Sequence, residues 1–242
     1  MENSPPVSLA IYDLDRTITS LPTWTPYLLF AARRLRPIRF ALLPAVAVSA
    51  AARALGIIDR DRLKEAMHRF LLGPSLSPQQ LEPVSQAFAE WIVRAHIRPG
   101  ARTQMEADRR EGRRIVIATA AHRFYADPIA RLLGADDLVA TEASRGMTGD
   151  IQPLLNGPNC YGDAKQAMIA AWFARSGMNR ADTHIRFYSD HASDRPTFDW
   201  VDEAVAVNPH RKLRAMAAER GWRVVDWGGR VGRTSTGLIR LR

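Results

Sequence analysis

At 242 residues and 46% hydrophobic, the chain can form a real core, as one large domain or as a domain carrying an insert. The single cysteine, Cys160, excludes an internal disulfide and predicts a reducing, cytoplasmic setting. A net charge of +9 suits nucleic acid, anionic lipid or phosphorylated substrates and does not choose among them.

The first element is an apolar run, Val7 to Tyr12, which reads as a buried strand and leaves no room for a cleaved leader. It ends in "DLDRT", with Asp13 and Asp15 one residue apart. Side chains at i and i+2 of an extended chain share a face, and two carboxylates in one space repel unless a cation lies between them. The pair therefore suits a metal site or a nucleophile beside an acid/base, although an Asp-rich turn has the same appearance. Residues 20–96 hold no convincing strand. "DRDRLKEAMHRFLLG" has helical spacing, with Leu63, Met67, Phe70 and Leu71 on one face and Gly73 as a stop, and "SPQQLEPVSQAFAEWIVRAH" predicts a second amphipathic helix.

"RPGA", at 98–101, returns the chain to a strand and helix alternation. Further strand-like runs are Ile115 to Ala118, Leu138 to Ala140, Ile185 to Tyr188, Ala204 to Val207 and Arg223 to Val225. Apolar strands separated by helices predict an α/β fold, a parallel sheet covered on both faces, whose ligand sits beyond the carboxyl ends of the strands. Three more positions fall at that edge. Thr119 ends "RRIVIAT" and offers a hydroxyl near backbone N–H groups. Lys165 lies in the first turn of a helix for which Asp163 is the expected N-cap, an unfavourable place for a cation unless it meets an anion. In "RFYSDHASDRP", Asp190 and Asp194 follow a strand and are oxygen ligands of the kind Mg2+ prefers.

In this order, the strand with Asp-x-Asp-x-Thr, the strand with Thr, the Lys at a helix start and the strand with Asp-xxx-Asp resemble the haloacid dehalogenase-like hydrolase superfamily. The helical insert resembles the cap of its phosphoserine-phosphatase-like branch. The resemblance implies a Rossmann-like doubly wound parallel sheet with an inserted helical cap, divided as 1–19 and 97–228 for the core, 20–96 for the cap, and 229–242 for a flexible basic tail. It implies a phosphatase in which Asp13 is the nucleophile and Asp15 the general acid/base. Mg2+ would be held by Asp13, the backbone carbonyl of Asp15, and Asp190, with Asp194 nearby as a supporting group. Thr119 and Lys165 would bind the phosphate, and Thr17 would shape the loop after the nucleophile. Two departures stand out: Arg16 replaces the small residue common at its position, and Ala120 follows Thr119 where the phosphoserine phosphatases usually carry a Ser-Gly-Gly stretch. Arg16, His122, Arg123 and His191 are the candidate substrate contacts. Cys160 reads as packing rather than as a nucleophile.

The cap suggests the substrate. From Arg16 through Ile58 there is no Asp or Glu, whereas Arg33, Arg34, Arg36, Arg39 and Arg53 are present. Phosphoserine would want a carboxylate for its ammonium group, which only the later Glu65, Glu82 or Glu90 could supply. The longest uncharged apolar stretch, Phe40 to Ala52, is shorter than the ~18 residues of a membrane span. Pro37 and Pro44 would break a long helix there. Either these apolar residues are the cap's own core and the arginines its solvated face, or the segment lies at the surface of an anionic membrane. In composition this stretch is similar to caps of the phosphatidylglycerophosphatase C type, which implies a lipid or other apolar phosphomonoester. The alternatives are a soluble small-metabolite phosphatase of phosphoserine type, and a non-catalytic membrane-peripheral or nucleic-acid-binding protein. The tail's arginines are not interleaved with aromatics, so nucleic acid is not the expected partner. The expected location is the cytoplasm, with peripheral contact at the inner face of the membrane.

Overall fold

In a computed structural model, which describes residues 7–228, strand β1 (Val7–Tyr12) lies at the centre of a six-stranded sheet. The other strands are β2 (Arg114–His122), β3 (Asp137–Thr141), β6 (Thr183–Ser189), β7 (Glu203–Val207) and β8 (Arg223–Val225). Their order is β3-β2-β1-β6-β7-β8, and every pairing is parallel. From β1 the chain winds one way to β2 and β3, and from β6 it winds the other way. The reversal puts a topological switch point between β1 and β6, where Tyr12 pairs with Tyr188.

Both faces of the sheet are buried, which is why its strands are nearly continuous apolar runs. On one face Ala10, Tyr12, Ile115 and Ile117 pack against helices α5 (Pro99–Arg110) and α6 (Arg123–Leu132). On the other, Leu9, Ile11, Val116 and Phe187 meet α7 (Asp163–Arg175), α8 (Arg195–Trp200) and α9 (Arg211–Arg220). Strand β2 continues past Thr119 to His122, so Thr119 lies inside the strand rather than at its end. The sequence reading also lacks a two-stranded antiparallel hairpin, β4 (Ala143–Arg145) and β5 (Ile151–Leu155). Three residues, and then a run containing Pro153, carry too little strand signal to be seen.

Residues between the first strand and α5 form four helices: α1 (Trp24–Leu35), α2 (Leu43–Ala54), α3 (Arg60–Leu71) and α4 (Pro78–Ala95). A 3-10 turn, Pro37–Leu42, joins α1 to α2. Two antiparallel linkers tie these helices to the sheet: Thr19 bridges Ile97, Ser20 N–H donates to the His96 carbonyl at 2.8 Å, and Arg98 N–H to the Ile18 carbonyl at 2.9 Å. Helix α4 starts at a capping box in which Ser77 and Gln80 exchange hydrogen bonds.

The segment Pro37–Ala54 corrects one of the two readings of the cap. None of its residues is fully buried; Phe40 and Val46 pack against the core, but most of the segment is surface rather than cap core. Counted with one arginine near each end, it is an 18-residue helical stretch long and apolar enough to cross a membrane by length and composition. The basic tail, residues 229–242, lies outside the described residues.

Candidate active site

Asp13 leaves β1 with its N–H donating to the Tyr188 carbonyl at 2.9 Å, which places its side chain over the switch point. The chain then turns sharply through Leu14–Ile18. Arg16 takes a left-handed conformation there, φ 62°, a position that glycine fills most easily. Its N–H donates to Thr19 Oγ1 at 3.2 Å, which helps hold the turn. Asp15 therefore sits on a turn rather than on a strand, yet it lines the same cavity as Asp13. Its carboxylate accepts from the Thr23 N–H (2.9 Å) and hydroxyl (2.7 Å), at the foot of α1.

Thr17 joins the two strand ends. Its hydroxyl lies 3.0 Å from Asp13 Oδ2 and 3.2 Å from Asp190 Oδ1, and accepts the Asp190 N–H at 3.0 Å. Lys165, on the first turn of α7, is buried, and its ammonium donates to Asp13 at 2.8 Å and Asp194 at 2.7 Å. The N-cap of α7 is Gly162 at φ 60°, not Asp163, which is the first helical residue. The left-handed turn at Gly162 aims the start of α7 at the carboxylates. Ser189 donates to Asp194 at 2.6 Å, while Asp194 Oδ1 is buried with no partner.

Burial sets the electrostatics. It pushes the Asp13 carboxyl up to about 7, against the pull of Lys165. It also raises Asp15, against the two hydrogen bonds from Thr23, and raises Asp190. Burial works against the Lys165 ammonium, but Asp13 and Asp194 outweigh it and keep the group charged.

A divalent cation fits this donor set. Thr17 has one hydroxyl proton for two buried carboxylates, and the Asp194 oxygen has no donor at all. Among the described residues, no three His, Cys, Asp or Glu side chains converge as a ready-made cage, and the Asp15 carboxylate is engaged by Thr23. The site thus suits a cation that takes a few carboxylates and retains water, as Mg2+ does, rather than one that needs an all-protein shell.

The cavity holds about 310 Å³. Besides the four aspartates and Lys165, its wall includes Arg16, Arg60, Tyr161 and His191. Thr119 is buried next to it, its hydroxyl oxygen accepting the Ala121 N–H at 3.0 Å, and the wall itself is formed by Ala120. Two expected substrate contacts lie elsewhere. His122 is fully buried in an aromatic cluster, its ring 4.7 Å from Trp24 and 5.1 Å from Phe124. Arg123 is turned away to Glu142 and the Leu138 carbonyl, and lines a separate cleft between α4 and α6. Cys160 is buried, and burial pushes its thiol up to about 12, as a packing residue requires.

The sequence reading missed what α3 brings. Arg60 stands over the Tyr161 ring at 3.8 Å on the cavity wall. Lys64, buried, donates to the Ala120 carbonyl and to Asn159 (3.1 Å), and Asn159 donates back to Asp61 (2.6 Å). Glu65 accepts the Leu155 N–H at 3.0 Å. A Lys on the buried side of an amphipathic helix, at Met67 minus three, was the available signal.

A model of the haloacid dehalogenase-like hydrolases matches residues 10–199, from β1 to α8. The chain belongs to the haloacid dehalogenase-like hydrolase family. This hydrolase is 27% identical to a histidinol-phosphatase of Neisseria meningitidis, over 91% of this chain and 99% of that one. It is 31% identical to a phosphoserine phosphatase of Mycobacterium tuberculosis, over 65% of this chain but only 50% of the relative. Its fold superposes on a protein of unknown function from Bordetella pertussis with a TM-score of 0.80, at 25% identity, over 92% of this chain and all of that one. A phosphoserine phosphatase holding a phospho-aspartyl intermediate analogue shares the fold at a TM-score of 0.60 and 15% identity, over 93% and 95% of the two chains.

Proposed function

We propose that this hydrolase is a Mg2+-dependent phosphomonoesterase working through an aspartyl-phosphate on Asp13. The observation that carries the reading is the contact of Lys165 with Asp13 and Asp194 in a cavity over the β1/β6 switch point, with Asp15 on the same wall. An Asp13 carboxylate oxygen attacks phosphorus and the ester P–O bond breaks, with Asp15 giving its proton to the departing alkoxide. Burial favours protonated Asp15 for that step. Asp15 then takes a proton from water as the water attacks phosphorus and breaks the acyl-phosphate bond. Bound Mg2+, held by Asp13, Asp190 and the Asp15 carbonyl with Asp194 beside them, would neutralise phosphoryl oxygens. Lys165 would hold the remaining phosphate oxygens, with Thr119 shaping the wall beside them at Ala120.

The cavity wall bears on the substrate. Outside the four aspartates it presents Arg16, Arg60 and His191 and no other carboxylate. Glu65 is spent on the Leu155 amide, Glu82 faces the α4/α6 cleft, and Glu90 bonds Gln86. A leaving group bearing an ammonium finds no partner there, whereas a neutral or anionic one does. This favours a lipid or other apolar phosphomonoester, of which phosphatidylglycerophosphate is an example; only its headgroup would enter a cavity of about 310 Å³. The second reading is a soluble small-metabolite phosphatase, supported by the histidinol-phosphatase relative, which aligns over nearly its whole length.

The test is Mg2+-dependent phosphate release from phosphatidylglycerophosphate in detergent micelles, beside phosphoserine and histidinol phosphate. Asp13→Asn is expected to abolish turnover and keep its thermal melt. Residual activity in that variant sinks the mechanism, and preference for an amino-bearing substrate sinks the lipid reading.

A further inference from the structure

A run of exposed apolar side chains lies on the cap, none of them lining the cavity that holds Asp13 and Lys165. Ile38, Val48, Leu55 and Ile57 are 82%, 69%, 76% and 72% exposed, an unusual state for four large aliphatic side chains in one twenty-residue stretch. The 3-10 turn and α2 pack along α3, so the segment lies flat across the cap. Arg39 pins it there, donating to the Phe70 carbonyl at 2.8 Å and the Arg69 carbonyl at 2.5 Å at the end of α3. Because α1 and α3, on either side of it in sequence, pack against each other, the segment cannot span a bilayer without tearing the cap apart.

Its rim is basic. Arg33, Arg36 and Arg53 are exposed, Arg34 stands over the Phe30 ring at 3.6 Å, and no Asp or Glu occurs between Arg16 and Ile58. Next to the segment, Leu29, Phe30 and Phe40 floor an open groove of about 740 Å³ edged by Arg33 and Arg34. An apolar floor with guanidinium groups at its edge has the polarity of a glycerophospholipid: acyl chain on carbon, phosphate on arginine.

We propose that this face of the cap, Leu29 to Ile57, docks in the plane of an anionic phospholipid bilayer, its aliphatic side chains among the acyl chains and its arginines at the phosphates. Charge selects this occupant. A second copy would set the same uncompensated arginines against each other, because a twofold interface is self-complementary. A nucleic acid would leave the aliphatic centre with nothing to bury it.

The experiment is flotation of the full chain with phosphatidylcholine vesicles, with and without phosphatidylglycerol, at low and high salt. Association is expected only with the anionic vesicles and is weakened by salt. Val48→Glu with Leu55→Glu is expected to lower partitioning by at least about tenfold. Each of Arg33→Ala, Arg36→Ala and Arg53→Ala is expected to lower it about fivefold. Thermal melts report that each variant is folded, and flotation needs no turnover, so this outcome is read separately from the catalytic one. Failure of the unaltered protein to float with anionic vesicles overturns the proposal, as does equal flotation of the Glu variants. If instead those substitutions dissolve a dimer in sedimentation velocity while vesicles bind nothing, the face belongs to a second copy.

Discussion

His68 is buried in the cap with neither ring nitrogen hydrogen-bonded, against Trp24, His122 and Phe124. Burial, helped by the charge of Arg69, lowers its pKa to about 4. His122 is lowered too, by burial and then by the charges of Lys64 and His68. The folded state therefore holds His68 neutral while the unfolded chain takes up a proton near pH 6.5. Stability from this group is complete above pH 6.5 and is lost as the pH falls from there toward 4. At pH 5 the loss from His68 alone is about 2 kcal/mol. Urea melts of the protein and of His68→Leu at pH 7.5 and pH 5 measure it, and the variant is expected to lose less stability on acidification by about that amount. Equal losses in the two proteins would show that His68 is solvated in the folded state. At this scale the sequence was legible where backbone pattern forces chemistry to one place, as for Asp13, Lys165 and Asp190 at strand and helix ends. It was not legible for His122 and Arg123. His122 ends a strand that runs three residues beyond Thr119 and turns into the aromatic cluster, while Arg123, just after it, turns to Glu142.

Helix α3 shows the same limit for an element. Its existence and its end were readable from spacing and Gly73, while the Asp59 cap at its start emerges only in the structure. Its buried stripe was not: the sequence face is Leu63, Met67, Phe70 and Leu71, whereas the buried residues are Lys64, Met67, His68 and Leu71. Apolar periodicity locates a helix face that packs on carbon, as Met67 and Leu71 do, but α3 also turns Lys64 and Glu65 to polar groups: the Ala120 carbonyl of β2, Asn159 and the Leu155 amide of β5. Its first residue, Arg60, is held by the Tyr161 ring on the cavity wall, with no contact to Asp13. Arg60→Ala is therefore expected to raise KM about tenfold for an anionic leaving group, with kcat changed little, since a charge-assisted hydrogen bond is worth about 1.5–3 kcal/mol. Steady-state kinetics on the preferred ester and on a small neutral aryl phosphate separate the two parameters. A loss confined to kcat would place Arg60 at the phosphoryl group instead.

Across the whole molecule, the chain closes on itself beneath the site. The parallel sheet was legible in six apolar runs separated by helices, and its doubly wound order was implied by the family resemblance. The closure was not. Trp227, near the end of the described chain, is buried against Tyr12 and Tyr188, at ring separations of 6.2 and 5.4 Å. Those tyrosines stack on each other and precede the strand ends that carry Asp13 and Asp190. Across from the indole is Gly100, at the start of α5 where the chain returns from the cap. A β-carbon there would lie 2.6 Å from three Trp227 carbons. Two segments remote in sequence meet with no room for a methyl group, a fact that no local pattern encodes. Gly100→Ala is expected to cost about 1–3 kcal/mol by overpacking. Trp227→Ala is expected to cost about 3 kcal/mol or more through the cavity it opens. In the double variant the alanine methyl has space, so the two losses are expected to fall short of their sum by about 1 kcal/mol or more. Denaturant melts of the four proteins complete the cycle. Additive losses would mean that α5 moves away from the indole freely, and that the floor under the strand ends that carry Asp13 and Asp190 is softer than its packing indicates.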